Sequence, residues 1–300
     1  MTQQIRLNGI EQIKQYLSAN PIATYFISAT NFNLQGIDQW VGKFKFINFI
    51  DCFDGKHTNV ILPKTKSSIV FSSLEAINNY LLANKDIHDA IAPLEEALAP
   101  GDKSCALFLF FDQQSLEICQ QLNLQLAFPP LDLIKSIDSK IVTTELGNEA
   151  GVASVPNALE QVTSYTHLQK LAKEHNLGDK VVVQTPFGDS GKTTYFVSDE
   201  RSYKQHASEI EEAAQVKIMR QINCRGSAIE ACITSCGTVV GPLLTELIGV
   251  PELTPYSGGW CGNEIYPGAF TQSTLESAQQ KVIALGEQLR QRGYKGYFEV

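Results

Sequence analysis

Residues 181–197, VVVQTPFGDSGKTTYFV, constrain the fold more than any other stretch, because two β-prone runs flank a loop of glycine, small hydroxyl residues and one lysine. Gly188 and Gly191 permit positive φ and close backbone approach. Ser190, Thr193 and the loop N–H groups can donate hydrogen bonds, and Lys192 brings charge to polyphosphate oxygens. The loop is not a Walker A loop. That motif, G-x-x-x-x-G-K-[ST], needs glycine where Pro186 stands, and its lysine opens a helix, whereas residues 193–197 are β-branched and aromatic and continue as a strand. The segment reads as a glycine-tipped hairpin. An ordinary surface hairpin has the same composition for conformational reasons alone, so this stretch by itself leaves both readings open.

At 300 residues and 43% hydrophobic content the chain can bury substantial cores and is expected to form two domains, or three lobes. A net charge of -8 and a pI of about 5.2 argue against nonspecific nucleic-acid or anionic-membrane binding, while leaving room for a local basic pocket. The opening MTQQIRLNGIEQI has no basic segment followed by an apolar core, and the most apolar run, 106–111, is too short to cross a bilayer. The expectation is a cytoplasmic protein with no nucleic-acid or membrane partner. Its seven cysteines, Cys52, Cys105, Cys119, Cys224, Cys232, Cys236 and Cys261, are odd in number and include no C-x-x-C pair. They suggest neither a disulfide framework nor a zinc site, and are expected to be buried, reduced thiols.

Helix and strand patterns alternate along the first part of the chain. Asn8 with Glu11 three residues on predicts a capping box for a helix reaching Leu17, followed by apolar strands at 22–28, 46–50 and 68–72. Helical spacing covers 74–82 and 87–98, CALFLFF at 105–111 predicts a buried strand, and Asp112 is placed to cap a helix reaching Gln121. This is the pattern of a parallel α/β domain. Phe128-Pro129-Pro130 interrupts it and sets the first boundary at residue 129.

Beyond the boundary the layout changes to α+β. The pattern predicts a helix at 139–146, an edge strand at 152–155 and a helix at 164–174 closed by Asn176-Leu177-Gly178. The glycine hairpin, a polar helix at 200–214 and a strand at 216–222 follow. A second hairpin turns at Cys236-Gly237 between 228–235 and 238–246, and YSGGWCGNE at 256–264 reads as an irregular loop of functional character. Cys261 within it has no neighbouring histidine to make it a nucleophile. A helix at 274–293 and a strand at 296–300 end the chain, which contains no internal repeat.

Four of these segments carry a resemblance. Ser139-Lys140 followed by GNEAGVASVPN, the hairpin at 181–197, KIMRQIN at 217–223 and GYFEV at 296–300 resemble, in this order, the ATP-grasp superfamily and its biotin-carboxylase-like branch. The resemblance spans essentially the whole chain. It implies a pre-ATP-grasp α/β domain at 1–129, a lid lobe with the glycine hairpin at 130–222 and a C-terminal lobe at 223–300. It also implies ligation: a carboxylate takes the γ-phosphoryl group of ATP, and an amine, thiol or similar nucleophile captures the acyl phosphate. ATP, magnesium and a small carboxylate are the implied partners, and an oligomer is compatible with them. On this reading Lys140 is a fixed cation, and Gly188, Asp189, Ser190, Gly191, Lys192 and Thr193 cover the phosphates. Met219, Gln221, Ile222 and Asn223 meet adenine, largely through main-chain groups; Glu299 holds magnesium; Lys192 and Arg225 serve the transfer, Arg225 as a carboxylate clamp.

The chain also departs from the family pattern. Gln184 stands where a second ATP-binding lysine is usual and offers a hydrogen bond without charge. Arg220 replaces the usual hinge acid and is expected to make a surface or interdomain ion pair. In the family the glutamate strand leads into another that carries a second metal-binding glutamate and an asparagine, so this chain reads as a fragment with half a magnesium site and a last strand that is disordered or borrows an edge. The alternative is a noncatalytic nucleotide-binding or assembly module with the same fold, separable by ATP turnover.

Overall fold

The computed structural model describes residues 7–51, 57–66, 69–188, 191–266 and 268–300. Met1–Phe128 and Pro129–Val300 are two compact units. In the first, α1 (Ile10–Ser18), β1 (Thr24–Ser28), β2 (Phe44–Asn48), β3 (Val60–Ile61), α2 (Leu74–Leu82), α3 (Lys85–Glu96), β4 (Cys105–Phe108), α4 (Gln113–Gln121) and β5 (Gln125–Leu126) follow in chain order. The strands form an all-parallel sheet, β3-β2-β1-β4-β5. Central strand β1 is buried on both faces: Tyr25 and Ile27 pack with Leu81, Leu82, Ile87 and Phe108, while Phe26 packs with Phe44 and Phe46. A parallel strand sandwiched in this way has no need to alternate apolar and polar residues, which is why its sequence reads as continuous hydrophobicity.

Local signals set the helix starts. Asp112 accepts from Ser115 N–H at 2.9 Å in a capping box, and Ser73 and Asn84 cap α2 and α3. The expected Asn8–Glu11 box is absent. Gly9 is the N-cap of α1, and the Asn8 N–H donates instead to Gln12 Oε1 at 2.8 Å, one turn further on. Of the strand expected at 68–72, Ser68 lies outside the described residues and 69–72 are irregular, with Val70 96% exposed, so there is no burial to hold a strand there.

The second unit contains α5 (Leu131–Ile137), α6 (Lys140–Glu149), β6 (Asn157–Glu160), α7 (Tyr165–Glu174), β7 (Val181–Gln184), β8 (Thr194–Val197), α8 (Glu200–Lys204), α9 (Ala207–Glu212), β9 (Val216–Arg220), β10 (Ser227–Thr234), β11 (Gly237–Ile248), β12 (Trp260–Glu264), α10 (Gln272–Gln291) and β13 (Gly296–Glu299). They build two antiparallel sheets, β6-β9-β7-β8 and β12-β11-β10-β13. The first sheet packs Val181, Val183, Val216 and Ile218 against α7 through α9; the second packs Ile229, Ala231 and Phe298 near Val282 of α10.

Several expectations shift here. The edge strand lies at Asn157–Glu160 rather than 152–155, because pairing with β9 begins only after Pro156, which has no N–H and offers its carbonyl to Arg220 N–H. The polar helix at 200–214 is two helices: His206 leaves helical geometry and stacks on Tyr195 with ring centroids 4.5 Å apart, a tertiary contact that overrides helix propensity. Trp260–Glu264, read as irregular, pairs with β11 as a strand. The last strand is paired along β10. Cys119 is buried, but Cys224, Cys232 and Cys236 are exposed; strand alternation turns Cys232 away from α10, and Cys52 lies outside the described residues.

Candidate functional site

Helix α6 begins where the glycine hairpin ends. Ser139 caps it, the Lys140 N–H donates to the Pro186 carbonyl at 2.8 Å, and the Lys140 ammonium donates to the Gly188 carbonyl. One residue thus ties a helix N-terminus to the hairpin loop through both its backbone and its side chain. Where helix N–H groups and a lysine meet a glycine loop, anionic oxygens find donors and positive charge together.

Strand alternation sorts the adjoining sheet into an apolar core face and a mixed face that also carries Val182 and Phe196. Val181 and Val183 on β7 and Val216 and Ile218 on β9 enter the core under α7, so Gln184, Lys217 and Met219 lie on the opposite face with Thr194. Gln184 is directly opposite Lys217 in the β7–β9 register and donates its amide to Thr194 Oγ1 at 3.0 Å. Lys217 is half-buried, and burial with the nearby Lys140 charge pulls its pKa down. The sequence reading placed Lys217 in the hinge strand and gave it no role. The signal was its position one residue from Ile218, which assigns it to the face opposite the core.

The hairpin loop is closely packed. At Gly188, with φ of 131°, a Cβ would stand 2.9 Å from Thr193 Cβ. At Gly191, with φ of 76°, it would stand 2.5 Å from the carbonyl carbon of Gly258 and 2.8 Å from the amide nitrogen of Gly259. Gly258 also lies near Thr194 and Phe196, so the 256–259 loop rests on the hairpin. The Thr193 hydroxyl is buried without a hydrogen-bond partner among the described residues, and Lys192 is exposed. Asp189 and Ser190 lie outside the described residues.

After β9 the chain continues without regular structure through Gln221, Ile222 and Asn223, all exposed, with Gln221 N–H donating to the Lys180 carbonyl at 3.2 Å. Arg220 makes no ion pair among the described residues; its guanidinium is taken up instead by the Asn176 carbonyl, in the turn that follows α7. Arg225 is held between Tyr266 and Phe270, 5.2 and 5.4 Å from their ring centroids, and donates to the Tyr266 hydroxyl and to the Ala269 carbonyl.

On the second sheet the face turned away from α10 is acidic. Glu230 on β10 is directly opposite Glu299 on β13, and burial together with the Glu299 charge pushes the Glu246 carboxyl above its usual range. Among the described residues no three histidine, cysteine, aspartate or glutamate side chains converge as a metal site would require. A cavity of about 750 Å³ lies elsewhere: it follows α7 at the Val181 and Arg220 ends of the strands, away from the hairpin loop. Among the described residues no helix is long and apolar enough to cross a membrane.

No protein-family profile matches the sequence, and no curated protein matches it. Solved structures do. An ADP complex of N5-carboxyaminoimidazole ribonucleotide synthetase aligns over 93% of this chain with a TM-score of 0.56 and 15% identity. The Aspergillus clavatus carboxyaminoimidazole ribonucleotide synthase complexed with ATP aligns over 93% with a TM-score of 0.57 and 10% identity. The biotin carboxylase domain of Hydrogenobacter thermophilus 2-oxoglutarate carboxylase, in complex with MgADP, ADP and bicarbonate, aligns over 92% with a TM-score of 0.59 and 12% identity. The fold is ATP-grasp. The α/β unit before Pro129 and the two antiparallel sheets after it both lie within the aligned 92–93% of the chain or border it. The chain spans 66% of the length of each synthetase and 60% of the carboxylase domain.

Proposed function

We propose that the chain is an ATP-dependent ligase that activates a carboxylate as an acyl phosphate for capture by an amine, a thiol or a related nucleophile. The junction of α6 with the glycine hairpin carries this reading, because Lys140 is tied to Pro186 and Gly188 at the loop suited to polyphosphate. It occurs in a fold whose solved examples include complexes with ATP and ADP. The lobes follow the same reading: a pre-ATP-grasp domain at 1–129, a lid lobe at 130–222 and a C-terminal lobe at 223–300. A small-molecule carboxylate and a cytoplasmic setting go with it.

In the reaction, a carboxylate oxygen attacks the γ-phosphorus in line, the bond to the β–γ bridging oxygen breaks with its electrons, and ADP leaves. The nucleophile then attacks the acyl carbon, loses its proton and expels inorganic phosphate. Lys140 and Lys192 neutralise the polyphosphate, while the N–H groups of Gly188 and Gly191, the Thr193 hydroxyl and the Gln184 amide donate to it. Asp189 and Ser190 belong to the same loop. Met219 and the main chain of Gln221, Ile222 and Asn223 receive adenine. Arg225 clamps the substrate carboxylate; contact with Tyr266 and Phe270 holds it in place, and its two hydrogen bonds leave part of its five-donor fork for the acid.

Magnesium fits the acidic face in a particular way. The Glu246 carboxyl, driven toward its proton by burial and by Glu299, would gain from a cation, yet no three-carboxylate cage stands ready among the described residues. That suits an ion bound through one or two carboxylates plus phosphate oxygens. Glu299 and Glu246 would hold it, and it would supply charge neutralisation at the transferring phosphoryl group.

The test is ATP turnover by the full chain with a panel of carboxylates and hydroxylamine as trap. The expected result is carboxylate-dependent ADP release with hydroxamate formation. ATP binding without turnover would leave the noncatalytic nucleotide-binding reading, and no stabilisation by magnesium-ATP would overturn both.

A further inference from the structure

We propose that Lys217 is a phosphate-binding cation of this site, supplying from β9 the charge that its cross-strand partner Gln184 on β7 lacks. The proposal rests on the nucleotide reading above and deepens it. Gln184 and Lys217 are directly paired, so their side chains leave the sheet on the same face, away from the apolar core formed by Val183 and Ile218. A charge moved one strand sideways therefore lands one interstrand spacing away, about 5 Å, well within the reach of a lysine side chain.

The electrostatics point the same way. Lys217 is half-buried, and among the described residues its ammonium has no carboxylate within ion-pair distance and no hydrogen-bond partner. The charged neighbour it does feel is another cation, Lys140, and burial together with that repulsion lowers its pKa. A lysine serving only as a structural strand residue would be expected to extend to solvent or pair with an acid. Two lysines close enough to repel, one of them tied to the glycine hairpin, make a place suited to negative charge. A polyphosphate supplies several such charges and would relieve the repulsion between them.

The experiment measures binding of ATP and of adenosine, without magnesium, to the full-length wild type and to Lys217→Gln, Lys217→Met and Lys217→Arg. Loss of one charge-assisted contact predicts ATP binding weakened roughly tenfold or more in Lys217→Gln and Lys217→Met. Adenosine binding stays unchanged, and Lys217→Arg retains most of the ATP affinity. The ligand-free Gln and Met variants melt at a temperature equal to or above that of the wild type, because a partly desolvated, repelled charge has been removed; a structural lysine would give the opposite shift. ATP affinity unchanged in both neutral variants overturns the proposal while leaving the nucleotide reading intact. A parallel loss of adenosine binding, or a lowered melting temperature in both, also overturns it by assigning Lys217 a structural role. Absence of ATP binding in the wild type overturns the nucleotide reading itself and this proposal with it.

Discussion

Gly191→Ala isolates the contact that holds the hairpin against the 256–259 loop. Two effects add at this position. Its φ of 76° is left-handed, which costs an L-residue roughly 1–2 kcal/mol. The new methyl would also stand 2.5 Å from the Gly258 carbonyl carbon and 2.8 Å from the Gly259 nitrogen, where ordinary contact begins at 3.4 Å. Both obstacles are backbone, so no rotamer change can clear them, and overpacking of this kind costs about 1–3 kcal/mol. Gly178→Ala is the matched control: it lies in the same unit with φ of 85° and nothing within 4 Å of its Cβ, so it carries only the backbone term. Urea unfolding in a Trp40→Phe background lets Trp260 report on the second unit, since the chain has 2 tryptophans. The expected destabilisation is about 2–5 kcal/mol for Gly191→Ala against about 1–2 kcal/mol for Gly178→Ala. Equal losses would refute the reasoning, because the loop would then be moving away from the hairpin at no cost.

Lys140→Met is expected to abolish most of the thermal stabilisation by ATP while α6 remains folded; a shift equal to that of the wild type in a thermal melt with and without ATP would count against Lys140 as a phosphate ligand. Asp112→Ala should cost the first unit about 1 kcal/mol at neutral pH through loss of its cap. Burial pushes the Asp112 carboxyl up, but hydrogen bonds from Ser115 and Asn79 outweigh it and hold its pKa below 3.8, so its stabilisation is present above that value and is lost as pH falls through the folded pKa. The difference between wild type and variant in urea titrations should therefore shrink in acid. Glu246 has the opposite sign: its raised pKa favours the folded state below 4.5, and that contribution is lost as pH rises through the folded value. Glu246→Gln should consequently gain stability relative to wild type across that rise, and a flat difference would contradict the buried, repelled carboxyl.

Much of the fold was legible because its signals are local. The helix at Leu74–Leu82, the strand starting at Cys105 and the Asp112 cap follow from apolar spacing and one side-chain acceptor each. The glycine hairpin declared itself through two β-prone runs around positive-φ residues. The misses share a different cause. β3 and β5 are two residues long and exist as strands only because longer neighbours offer them hydrogen-bonding edges. The break at His206 depends on a ring contributed by Tyr195, 11 positions earlier in the chain. Trp260–Glu264 looked irregular for its glycines, yet β11 gives it a ladder.

The sequence alone determined the α/β beginning and the change of layout near Pro129, because composition and periodicity are properties of the chain; Lys140, Lys192 and Glu299 entered as candidates through the family resemblance. Which residues meet was decided in three dimensions. Lys140 reaches Gly188 across 48 positions, Gly191 admits the Gly258 backbone, and Lys217 stands opposite Gln184 through strand register. Gln184, at a position where the family resemblance leads one to expect lysine, was visible in the sequence; that Lys217 stands opposite it on the neighbouring strand was not, since register is set by packing of the whole sheet against its helices.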